Sequence, residues 1–154
     1  MTAKLLKIII HPNKILRQKS KEIDLEKIKS LELKQFFLDL ELTMQKKDGA
    51  GLAAPQVGIN ERVIVINDRT KNILMINPII TKKSLAKQTE NEGCLSVLND
   101  KGELFYQAVT RHKSLNCKYY DQRGKLKKIK AKDFLARVIQ HEVDHLDGIL
   151  FIDY

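Results

Sequence analysis

The 154 residues include no tryptophan, only two cysteines, three prolines and seven glycines. Cys94 and Cys117 are too few to staple a small secreted scaffold, so each thiol is free, a ligand or catalytic. The scarcity of glycine and proline, beside 43% apolar residues, excludes a fibrous repeat and argues against disorder. No segment approaches the roughly 18 consecutive apolar residues of a membrane span. The opening MTAKLLKIIIHPNK has an apolar run too short for a signal peptide and no small-residue cleavage pattern. These absences predict a soluble, cytoplasmic protein, and the length fits one domain spanning residues 1–154. Acidic residues are also short: 19 against 28 Lys and Arg, for a net charge of +9, which favours an acidic partner. Six of those cations crowd into Arg123 to Lys132. The run lacks the interleaved aromatics of a base-stacking surface, and its plain reading is a solvated hairpin.

Periodicity predicts a helix over Asp24 to Lys47, with Leu33, Phe36, Phe37, Leu40 and Met44 on one face. A glycine-rich loop, Gly49 to Gly58, follows. Short β-type runs come next at Arg62 to Ile66, Ile73 to Ile80, Leu104 to Val109, Leu115 to Tyr120 and Lys125 to Ile129. A second helix is expected over Ala131 to Leu146, with Asp133 as N-cap and Gly148 just past its end. The fold class is therefore α+β, with antiparallel strands packed around the second helix.

That second helix carries QHEVDHL, Gln140 to Leu146. His141 and His145 stand four apart and share one helix face, so both can reach one ion. Glu142 lies about 100° around the axis, placed to reach a water without ligating. A surface-facing histidine pair is the competing reading. A hydrolytic metal takes three protein ligands and one open position, and Cys94, flanked by Gly93, is the best third ligand; a buried apolar thiol is its alternative. Cys117, in LNCKYYD, reads as such a buried thiol. The small residues Gly49 to Ala54 allow close approach of a substrate, and Gln56 offers an amide donor for developing negative charge; a tight structural turn is the other reading.

Three stretches, GAGLAAPQ (Gly49 to Gln56), EGCLS (Glu92 to Ser96) and QHEVDHL, occur in this order and resemble the motifs of peptide deformylases. The opening His11-Pro12-Asn13 with Leu16-Arg17 is similar to that family's N-terminal segment, so the resemblance spans nearly the whole chain. It implies a hydrolase that removes the formyl group from N-formylmethionine on new polypeptides and releases formate. It implies Cys94, His141 and His145 as metal ligands with water in the fourth position, and Fe2+ as the native ion, with Zn2+, Ni2+ or Co2+ also accepted. Glu142 would move the proton, while the Leu95 N–H and the Gln56 amide hold the oxyanion. The methionine pocket would lie between Val138 and the loop residues Gly49, Ala50, Gly51 and Leu52, with Arg137 at its mouth. Position 50 is often a larger aliphatic in the family; Ala50 would widen the pocket.

The chain departs from the family pattern after EGCLS. A hydrophobic residue and proline usually follow there, whereas this chain has a lengthened stretch from Val97 to Thr110 without proline, expected to be freer. Arg111 is expected to pair with Glu92 or Asp144. Many members continue past the equivalent of Tyr154 with a helix or tail that in some bacteria meets the ribosome, so that contact is not implied here. A transient ribosome contact would instead fall to the basic run, and a monomer is expected. Two other classes compete: a peptidase cleaving ordinary amides, and a basic nucleic-acid-binding domain with a structural metal. The second would ordinarily need four protein ligands, and only three can be named.

Overall fold

In a computed structural model describing residues 1–154, Val63 to Ile66 are all apolar and all buried, as befits a strand covered on both faces. The strands in chain order are β1 (Gly51–Ala53), β2 (Val63–Asn67), β3 (Asn72–Lys83), β4 (Lys87–Glu92), β5 (Gln107–His112), β6 (Ser114–Tyr120) and β7 (Leu126–Lys132). The helices are α1 (Leu31–Lys46) and α2 (Asp133–Leu146). Antiparallel pairing builds a five-stranded sheet in the order β1-β2-β3-β6-β7, with β4 and β5 forming a separate pair. Because side chains alternate along a strand, β2 sends Ile64 and Ile66 into a core with α2, and Val63 and Val65 into a core with α1. The sheet thus lies between the two helices. A third cluster joins Cys94, Val97 and Val109 to Leu150 and Phe151.

The expected first helix starts later than its periodicity suggested. Asp24 caps a separate 3-10 turn, accepting from the Glu26 N–H, and Ser30 caps α1 by accepting from the Leu33 N–H at 3.2 Å. Asp133 is not the cap of α2: it stands inside the first turn with φ 55°, and the cap position is Lys132 without a side-chain bond. Gly148 does follow the helix in the left-handed region, at φ 74°. β4 escaped the periodicity because KQTENE is wholly polar; pairing with β5 forms it. The stretch after EGCLS is not loose. Leu98 bridges Leu104, and the Asn99 side chain accepts from the Lys101 and Glu103 N–H groups, both at 2.9 Å, so a side-chain-closed turn does the work of proline.

Candidate metal centre

Helix spacing places His141 and His145 on neighbouring turns, their ring centroids 5.0 Å apart. Cys94, carried from β4 by Gly93, reaches the same point: its Sγ lies 3.3 Å from His145 Nε2. Ligand atoms of the three residues all fall within 4.8 Å of one another, and Cys94 and His145 are buried. A thiol and two imidazoles suit a transition metal or zinc, and three donors leave one position for water or substrate. The donor set therefore fits a divalent ion.

Glu92 orients this group. His141 Nδ1 lies 2.8 Å from Glu92 Oε1, an arrangement that turns the other ring nitrogen to the centre. Arg111 grips the same carboxylate through Nε and Nη2, each at 2.9 Å, and Arg137 Nη1 donates to it at 2.6 Å. Burial pushes the Glu92 carboxyl up, but the bonds from Arg111 and His141 outweigh it and hold it well below the usual carboxylate range. Arg111 also reaches Asp144, so it pairs with both carboxylates the sequence offered it. Burial holds the His145 imidazole well below its ordinary value and hence neutral. For His141 burial acts downward too, yet its bonds to Cys94 and Glu92 raise it to about 10. A ligating imidazole must be neutral, so a cation held here would displace that proton.

Glu142 is 4% exposed, and its Oε2 has no partner; burial pushes its carboxyl up to about 7. A Cβ at Gly51 would sit 2.7 Å from both Glu142 Cγ and Oε1, so the glycine is what lets the carboxyl lie against β1. Gln56 is fixed at both ends of its amide. Its Oε1 accepts from the Ala53 N–H at 2.9 Å, and its Nε2 donates to Ser96 Oγ at 3.1 Å and faces Cys94 Sγ at 3.6 Å. The Leu95 N–H makes no hydrogen bond within the chain.

A cavity of about 180 Å³ opens onto these groups. Gly49, Ala50, Gly51 and Val138 line it as expected, together with Cys94, Leu95, His141 and Glu142. Leu52 does not: strand alternation turns its fully buried side chain into the α1 core. Arg137 lines the cavity but is not a free residue at its mouth, because Glu92, the Val109 carbonyl and the Gln88 carbonyl hold its guanidinium. Phe134 is a wall the sequence reading missed. It precedes His141 by seven positions, two turns along the same helix face, which is the signal that would have found it. Phe151 was missed as well; its ring stacks on His141 with centroids 6.3 Å apart. Cys117 is buried in the α2 core, 1% exposed, and burial pushes its thiol up to about 11.

The family model described as "Polypeptide deformylase" matches residues 5–154. The chain is 42% identical over 147 residues to a peptide deformylase of Desulforudis audaxviator, covering 95% of this chain and 90% of that one. It is 43% identical over 157 residues to a peptide deformylase of Rickettsia prowazekii, covering 96% and 85%. Among solved structures, it is similar to a class I type b peptide deformylase from Acinetobacter baumannii bound to Met-Ala-Ser. The TM-score is 0.90 at 32% identity, covering 99% of each chain.

Proposed function

The chain belongs to the polypeptide deformylase family and removes the N-formyl group from the N-terminal formylmethionine of nascent polypeptides, and we propose that it does so at the Cys94–His141–His145 centre. The observation that carries this assignment is the convergence of those three ligand atoms beside an unpartnered, buried Glu142 carboxyl. When bound, a divalent ion supplies Lewis acidity and lowers the pKa of water; we assign Fe2+ in the cell, with Zn2+, Ni2+ or Co2+ able to take the same donors. Glu142 accepts the proton of the attacking water and passes it to the departing amine. A carboxyl held near neutrality is suited to both halves of that transfer. The unspent Leu95 N–H, together with the Gln56 amide proton that faces Cys94, stabilises the oxyanion that develops on the formyl oxygen. The methionine side chain enters between Val138, Phe134 and the open edge of β1, where Gly49 to Gly51 let the peptide backbone lie close.

Residues 1–154 act in this reading as one catalytic unit and as a monomer. No helix is long and apolar enough to cross a membrane; action on newly made formylated chains supports a cytoplasmic site of work. The basic run lies exposed along β7, and Lys128 stands directly across from Lys118 of β6. Like charges opposed in this way weaken strand pairing. That supports a transient contact with ribosomal RNA phosphate, for which affinity should fall steeply with salt; salt-insensitive binding to ribosomes would contradict it.

The test is formate release from formyl-Met-Ala-Ser and cleavage of its unformylated counterpart. Formate from the first and no cleavage of the second is expected. Cleavage of the unformylated peptide would favour a general peptidase. The same assay with formyl-Phe in place of formyl-Met reads the effect of Ala50: an Ala50→Ile variant should discriminate more sharply against phenylalanine, and an unchanged ratio would refute a widened pocket.

A further inference from the structure

We propose that Tyr154 is a positioning residue of the metal centre, whose phenol hydroxyl locks Arg111 to Asp144 and thereby keeps Glu92 set against His141. The inference rests on the metal assignment above. Glu92 can orient His141 only if its own carboxylate is held, and Arg111 supplies the two-point grip. What holds Arg111 is a triangle of hydrogen bonds. Its remaining nitrogen, Nη1, reaches Asp144 Oδ2 and also donates to Tyr154 Oη at 3.1 Å. The phenol in turn donates to the same Asp144 oxygen at 2.7 Å. The guanidinium carbon lies 4.5 Å from the centroid of the Tyr154 ring, adding a cation–π contact on that side. Asp144 sits on α2 next to His145 and one turn after His141, so the triangle fastens the guanidinium to the helix that carries both ligand imidazoles.

The hydroxyl can be removed without freeing the segment that presents it. Asp153 is clamped by Arg17 at 2.6 and 3.0 Å, and Phe151 is 1% exposed beneath His141. Tyr154→Phe therefore keeps the ring and its anchors but loses both phenol bonds. Water then competes for Arg111 Nη1 and Asp144, and the Glu92 grip loosens.

The experiment loads wild type and Tyr154→Phe with one equivalent of Co2+, followed by its thiolate absorption band, and measures release to excess chelator. Partners directly behind a ligand typically matter by 10–100-fold in metal affinity; Tyr154 acts through Arg111, two bonds further out than Glu92, so its loss should speed release by about 3-fold. The apoprotein Tm should be unchanged. Tyr154→Ala, which also removes the cation–π contact, should release faster still. Release from Tyr154→Phe at the wild-type rate, or faster release only in step with a lost apoprotein Tm, would overturn the proposal. A wild-type chain that binds no Co2+ would overturn the metal assignment itself, and this inference with it.

Discussion

Glu142 and Gly51 form a pair in which one residue's chemistry depends on the other's lack of a side chain. The carboxyl packs where a Cβ at position 51 would stand, and it is buried with one oxygen unpartnered. Removing that carboxyl should cost turnover and not the metal, because Glu142 contributes no ligand atom to the centre. We expect Glu142→Ala to bind one metal per chain and to lose about 10²–10⁴-fold in kcat, the usual worth of a positioned acid–base group; metal loss in this variant would contradict the role. Cys117 gives a second prediction at this scale. Its folded thiol is raised to about 11, above an unfolded value near 8.5. The unfolded chain therefore loses the proton first as pH rises. The thiol's stabilising contribution is complete below about pH 8.5 and disappears on the way to pH 11. In urea titrations, wild type should lose on the order of 3 kcal/mol more than Cys117→Val over that window. Equal losses would place the thiol in contact with water.

Individual elements divide sharply in how legible they were. α2 was readable because one amphipathic stretch carries both the core residues Ala136, Ile139, Val143 and Leu146 and the ligand pair. β2 was readable because a short, continuous apolar run is what two-sided burial requires. β4 was not, since its stability comes from its partner and its six residues are all polar. The turn at Asn99 looked loose for want of a proline, yet a single side chain closes it. Arg137 looked like a mouth residue because nothing local announces that Glu92, 45 positions away, binds it. Such long-range polar bonds are the part of the site that sequence spacing hides. They also carry energy: Arg111 is buried between Glu92 and Asp144, and removing one partner of a buried pair leaves an uncompensated charge. Arg111→Leu should destabilise the chain by about 3–5 kcal/mol in urea unfolding; a change below about 1 kcal/mol would show that Arg137 and His141 suffice to hold Glu92.

At the scale of the whole molecule, the sheet between α1 and α2 brings together three chain segments that are distant in sequence. β1 and the turn after it supply Gly51 and Gln56, the end of β4 supplies Glu92 and Cys94, and α2 supplies His141, Glu142 and His145. No one segment could hold the ion or the substrate, so the centre exists only in the folded chain. On the proposed assignment, activity should rise with occupancy of a single metal site. The direct measurement is anaerobic titration of metal-free protein with Fe2+, reading formate release from formyl-Met-Ala-Ser at each step. Turnover that climbs linearly and breaks at one Fe2+ per chain is the predicted result. Full turnover without metal, or one tightly bound Fe2+ without turnover, would contradict the account.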